Sequence, residues 1–366
     1  MSMQVSYKKQ IFFGVLFLII LFFSIETFMR TYEYVSIPCG LIENDAFSNL
    51  NYFEIKNICY DTNTLVHGKA PLYHIVPNQI KFTMNINSDG FRGPEISNEE
   101  KYRIFFTGGS TAFGFGSISD NTTISGYLQT MFDNDPNGLN VEIINAGING
   151  ANGYREILLI KEKLVNFNPD MIISYTGTND SGGYIKEIIL DVESDDWKPD
   201  WLKFGNYPWF RTAFVINYLL EEKTPDIQTN FSLDMSSTEI KNLGNIFESN
   251  WSQSCNFLQE NNVKSVVVLQ PVLKTKKSPS EFEKNFLEHD YNVRIPILNE
   301  YSSRLNDLSE KCSYVIDLRN GTDDTYDTTY YDSVHMNSLG NQLVAEKIFS
   351  KILPIVINNI ESQKNN

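Results

Sequence analysis

Hydrophobic positions fall into three regimes along this chain. Residues 11–25, IFFGVLFLIILFFSI, are apolar apart from Ser24. Residues 31 to about 100 are mixed, with one alternating segment, IKFTMNIN, that predicts a strand and an Asp-Gly at 89–90 that predicts a turn. From Lys101 the texture changes. Four short apolar runs, YRIFFTGG, VEIINAG, MIISYTG and VKSVVVLQ, are followed late in the chain by a fifth, SYVIDL. Between them lie stretches of helical period. Residues 153–167 place Ile157, Ile160, Leu164 and Phe167 near one face, and 237–261 and 338–358 behave alike. Strands alternating with helices predict right-handed crossovers and a parallel sheet of about five strands covered on both faces. Residues 181–236, rich in Trp, Tyr and Asp, interrupt this rhythm and read as an insertion or lid.

The first apolar run is a membrane question. Fifteen helical residues reach about 22 Å, short of a bilayer core of about 30 Å, whereas 11–29 reach about 28 Å. Lys8 and Lys9 precede the run and no comparable basic cluster follows immediately, so the positive-inside rule keeps the N-terminus (1–10) cytoplasmic and exports the rest. A cleavable signal peptide is the rival, but SIETFMRTY offers bulky residues where a peptidase needs small ones. A buried apolar helix of a cytosolic protein is the third reading. The expected organisation is an anchor at 11–29, a lead-in at 30–100, a main domain at 101–358 carrying the 181–236 insertion, and a tail at 359–366.

Composition narrows the function. With 30 Lys+Arg against 45 Asp+Glu the formal charge is −15, which disfavours a nucleic-acid partner because phosphate neutralisation needs clustered cations. Four cysteines allow three pairings. Proximity favours Cys39 with Cys59 and Cys255 with Cys312 in an oxidising compartment, against four free thiols. None shows the spacing of a zinc site, and DVESDDWKPD at 191–200 lacks the glycine of a calcium loop.

Ligand sites in open parallel sheets form beyond the carboxyl ends of the strands. After the first run comes GGSTAFGFG, residues 108–116. Phosphate-binding patterns fail there: Phe115 stands where a Walker lysine belongs, and the dinucleotide spacing ends on Ser119. The other use of such a turn is to hold Ser110 as a nucleophile. Of the four histidines, His335 in YDSVHMNSLG lies just before the last helix, with Asp332 three residues earlier to orient it. For His67 and His74 a plain structural role is expected. The Ser110 amide, the Gly147 amide and the Asn179 side chain are the expected oxyanion donors.

Taken in order, Gly-Gly-Ser-Thr at 108–111, Asn-Ala-Gly at 145–147, Gly-Thr-Asn-Asp at 177–180 and Asp-Ser-Val-His at 332–335 resemble the four blocks of the SGNH, or GDSL-like, hydrolase superfamily. The resemblance covers about residues 101–355. It implies a three-layer α/β/α flavodoxin-like fold and cofactor-free ester hydrolysis through an acyl-enzyme. GFRG at 90–93 is similar to a segment ahead of the nucleophile in some membrane-anchored members. Gly109 replaces the Asp of Gly-Asp-Ser-Leu, a residue outside the triad. An O-acetylated surface glycan or a lipid ester is the expected substrate. Trp197, Trp201, Tyr207 and Trp209 would either stack on sugars, pack within a lid or contact membrane. Two rival functions share the site: an O-acyltransferase that admits a sugar hydroxyl in place of water, and an anchored binding or assembly protein without turnover.

Overall fold

The computed structural model describes residues 6–68, 74–181, 212, 235–288 and 293–364. These fall into two compact units, one of residues 6–38 with Thr212 and the other beginning at Cys39. Of the 181–236 insertion, only Ser181, Thr212, Met235 and Ser236 are described; Trp197, Trp201, Tyr207, Trp209, the acidic run at 191–200 and, further on, His289 lie outside the described residues.

The first unit is helix α1, Tyr7–Ser36, seven residues longer at its C-terminal end than the predicted span. It is long and apolar enough to cross a membrane. The Glu26 carboxylate accepts hydrogen bonds from Arg30 on the next turn and from the backbone and hydroxyl of Thr212.

The second unit is built on a five-stranded sheet. Its strands are β3 (Tyr102–Gly108), β4 (Val141–Asn145), β5 (Met171–Thr176), β6 (Lys264–Leu269) and β7 (Tyr314–Asp317). They are all parallel, in the order β4-β3-β5-β6-β7. This is the doubly wound 2-1-3-4-5 order of flavodoxin-like folds. Alternate side chains fill two cores. Ile104, Phe106, Ile173, Val266 and Val268 pack with helices α4 (Ile124–Asp133) and α10 (Ser338–Lys364), through Leu128, Phe132, Val344, Ile348 and Ile352. Phe105, Ile172 and Val267 face α5 (Gly153–Glu162), α7 (Ser237–Glu260) and α9 (Arg294–Leu308), through Ile160, Phe247, Trp251 and Ile297. Burial on both faces explains why the strands read as continuous apolar runs. Helix α5 stops at Glu162 and continues as a 3-10 turn over Leu164–Phe167, short of the predicted single helix.

The lead-in packs as part of this unit. Helix α2 (Tyr52–Asn63) opens with a capping box between Asn51 and Glu54. The predicted strand IKFTMNIN is instead two short antiparallel strands, β1 (Gln79–Ile80) and β2 (Asn85–Ile86), closed by Lys81 N–H donating to the Met84 carbonyl. The Asp-Gly turn is present, with Gly90 at φ +82°. Cys39 is bonded to Cys59 and Cys255 to Cys312, with Cα separations of 5.5 and 4.9 Å.

Candidate active site

Strand β3 ends at Gly108, and two residues later Ser110 opens the one-turn helix α3, Ser110–Phe113. Its position at the first helical residue leaves the Ser110 amide without an intrahelical acceptor. The Ser110 hydroxyl lies 2.7 Å from His335 Nε2, and His335 Nδ1 lies 2.7 Å from Asp332 Oδ2. Asp332 Oδ1 accepts the backbone N–H groups of Val334 and His335, so acid and base share one tight turn before α10. Burial alone would raise the Asp332 carboxyl. The charge and hydrogen bond of His335, with the two backbone donors, outweigh it and hold Asp332 below its ordinary value. The three residues expected to form a relay are therefore in contact.

The expected oxyanion donors are placed less uniformly. Asn179, in the short helix α6 (Thr178–Ser181), donates one Nδ2 hydrogen to the Ala151 carbonyl at 2.6 Å and keeps a second. It sits against the nucleophile turn: a Cβ added to Gly109 would meet Asn179 Nδ2 at 2.4 Å and the Ala151 carbonyl at 3.2 Å. The absence of a side chain at 109 is what admits this amide.

Gly147 is different. Its N–H donates to Asn145 Oδ1 at 3.0 Å, and a Cβ there would strike the Phe113 backbone nitrogen at 2.3 Å. The Gly147 amide is committed inside the chain, which corrects the expectation that it faces substrate. Three residues on, Gly150 is exposed with φ +67° and open space around its Cα, beside the Ala151 carbonyl that holds Asn179. A second glycine in NAGINGANG was the available signal. Of the two amides, it is that of Gly147 that the Asn145 side chain takes.

Residues of the lead-in also reach the site. Arg92, from the GFRG segment, is fully buried and donates to the Phe113 and Gly114 carbonyls at the end of α3. Its Nε pairs with Asp120 at 2.8 Å. A cation on the carbonyl end of the helix that begins with Ser110 is the favourable sign for that dipole. Tyr331 stacks on the His335 ring at 5.6 Å and 12°, and Phe47 packs against Tyr331 from behind. Asn44 and Asn337 tie the two segments together through the carbonyls of Tyr331 and Ala46. Buried Glu283, on the short helix α8 (Glu281–Lys284), accepts from Thr329 and Tyr330 and pairs with buried Lys276.

Beneath the strand ends lies a second pair of carboxyls. The Asp180 oxygens each accept Gly153 N–H at 3.1 Å, at the start of α5. Burial, with the Asp180 charge second, pushes Glu156 well above the usual carboxylate range, and its carboxyl contacts Thr107 on β3. Among the described residues no cluster of three or more His, Cys, Asp or Glu side chains could hold a metal ion. His67 instead forms a backbone bridge with Ile75.

No family model and no curated protein matches the chain. Solved structures do. An acetyl xylan esterase is 18% identical, with 68% of this chain and 99% of that one aligned at a TM-score of 0.41. An acetylxylan esterase from Geobacillus stearothermophilus is 12% identical over 69% and 94%, also at 0.41. A putative lipolytic protein of the G-D-S-L family from Desulfitobacterium hafniense is 11% identical over 68% and 99%, again at 0.41.

Proposed function

We propose that this chain is a membrane-anchored serine ester hydrolase of the SGNH type, working through an acyl-enzyme on the extracytoplasmic side of the membrane. The observation that carries the reading is the unbroken Ser110–His335–Asp332 relay, with both contacts at 2.7 Å.

In this mechanism Ser110 Oγ attacks the ester carbonyl while His335 Nε2 takes its proton. Asp332 holds the imidazole by Nδ1 and stabilises the imidazolium. The developing oxyanion accepts from the Ser110 amide, the Gly150 amide and the second hydrogen of Asn179 Nδ2. His335 then gives its proton to the departing alcohol. Water, deprotonated by the same imidazole, attacks the acyl-enzyme and frees Ser110. His335 returns the proton taken from water to Ser110 Oγ as the acid departs, which restores the resting relay.

Anchoring rests on α1, with Lys8 and Lys9 on its N-terminal side. Export agrees with two disulfides joining all four cysteines.

The test uses the full chain in detergent with p-nitrophenyl acetate and a fluorophosphonate probe, followed by intact mass. One adduct on wild type, none on Ser110→Ala, and ester turnover lost with the adduct is the expected result. Equal turnover by Ser110→Ala would exclude the mechanism.

A further inference from the structure

Exposed apolar side chains are not spread evenly over the second unit. Ile42, Tyr52, Phe53, Ile80 and Phe82 all belong to the lead-in, more than the far longer remainder of the unit exposes among its described residues. Single exposed apolar residues need no explanation, but a cluster marks a surface that meets something.

These side chains form one surface. Phe53 and Tyr60 lie two turns apart on one face of α2. The Tyr60 ring meets that of Phe82 at a centroid distance of 6.1 Å, and Ile80 stands two residues before Phe82 on the hairpin. The display is rigid. Fully buried Asp61, on α2, accepts the Thr83 N–H at 2.6 Å and the Thr83 hydroxyl at 2.8 Å. Lys81 Nζ donates to the carbonyl and the hydroxyl of Thr64, each at 2.9 Å. The turn between β1 and β2 is thereby fixed to the C-terminal end of α2, with Ile80 87% and Phe82 65% exposed.

Chain connectivity says what this surface meets. The 30 residues of α1 reach about 45 Å, the thickness of a bilayer with its headgroups. From Ser36 to Cys39 is three peptide links, at most about 11 Å of chain. Cys39 is bonded to Cys59, the residue before Tyr60. An anchored α1 therefore delivers the lead-in to the headgroup layer, where aromatic side chains are enriched. Glu43, Asp45 and Glu54 are exposed in the same segment, so apolar insertion rather than attraction to anionic lipid has to hold it there. We propose that the hairpin tip, Ile80 and Phe82, with Phe53 beside it, is a docking surface that seats in the interfacial layer of a zwitterionic phospholipid bilayer. It is a second membrane contact besides α1. It rests on the anchoring part of the reading above and is independent of the chemistry at Ser110.

The test places one cysteine at a time in the full chain, reconstituted in phosphatidylcholine nanodiscs. All four native cysteines are in disulfides, so a methanethiosulfonate nitroxide reports only the introduced site. Ile80→Cys, Phe82→Cys and Phe53→Cys probe the surface, and because these side chains are exposed each substitution leaves the packed core intact. Tyr326→Cys, at an exposed position far along the chain, is the water reference, and Leu18→Cys in α1 is the lipid reference. Power saturation is read with oxygen, which partitions into lipid, and with nickel-EDDA, which stays in water. The expected result at the three probe sites is an oxygen-to-nickel accessibility ratio at least about threefold above that of Tyr326→Cys, as for side chains set into the headgroup boundary. The water value at Ile80→Cys or Phe82→Cys, with Leu18→Cys in lipid, would overturn the docking surface and leave the anchor standing. Protection from both reagents at the tip would overturn it as well, by showing protein rather than lipid over the patch. A water value at Leu18→Cys would instead remove the anchor on which the proposal rests.

Discussion

Ser110 Oγ and His335 Nε2 are 225 residues apart in sequence and 2.7 Å apart in space. Neither does the work alone: a serine hydroxyl needs a base, and among the described residues no other hydroxyl is bonded to His335 Nε2. Ser110→Ala and His335→Ala should each lower kcat for p-nitrophenyl acetate by at least about 10⁴-fold, with the double variant no worse than either single one. Steady-state rates on the three proteins check this.

Asp332 lies below its ordinary value, so the folded protein holds it ionised where the unfolded chain would begin to take up a proton. Stability from this group is present above its unfolded value and is lost as pH falls through the folded one. Asp332→Asn should therefore flatten the acid limb of a urea-stability profile. It should also lower kcat by about 10⁴-fold, because the imidazole loses its hold on one tautomer.

Gly109 is where this chain departs from Gly-Asp-Ser-Leu, and the structure gives the departure a role. Since a Cβ would come within 2.4 Å of Asn179 Nδ2, Gly109→Ala should displace that amide. A loss of roughly 10²-fold in kcat with unchanged fluorophosphonate labelling of folded protein would match the removal of one oxyanion donor. Full activity would place Asn179 outside the hole.

Much of this was legible in the sequence, because it depends on local pattern. Runs such as YRIFFTGG and VKSVVVLQ became β3 and β6 within a residue or two of their apolar limits. The block order brought Ser110, Asp332 and His335 to the correct end of the sheet. What was not legible depends on tertiary contact. Helix α9 contains Pro296 and two serines, and α4 contains Gly126, so their weak helical signals are overridden by packing on the sheet. Gly147 was misjudged because only the folded turn shows Asn145 Oδ1 taking its amide. Arg92 was visible as part of GFRG, but nothing local says that its guanidinium ends on the carbonyls of α3.

Asp180 carries the opposite sign from Asp332. Burial pushes it up to about 6 from an ordinary value of 3.8, so between those limits the folded state holds a proton that the unfolded chain has released. Stability should fall as pH rises through that window. Asp180→Asn should remove this slope, a change read directly from thermal midpoints measured across it.

Lys276 and Glu283 form an ion pair with both side chains fully buried, and Glu283 carries the backbone of Thr329 and Tyr330 just before Asp332. Removing one partner strands the other charge. Lys276→Met should cost about 3 kcal/mol in urea unfolding, and Lys276→Met with Glu283→Leu should recover part of that loss. Kinetics on the double variant then report how firmly the pair fixes the His335 turn.

The bonds from Asn44 to Tyr331 and from Asn337 to Ala46 span 287 and 291 residues. They bear on timing during synthesis. A ribosome delivers Asn44 early and Asn337 late, so the segment that backs His335 waits, unclosed, while almost three hundred residues are added. A nascent chain held by α1 would already display Ser110 and Arg92 yet remain chemically silent. On the esterase reading proposed above, the site would be complete only when residues 329–341 arrive and close the seam.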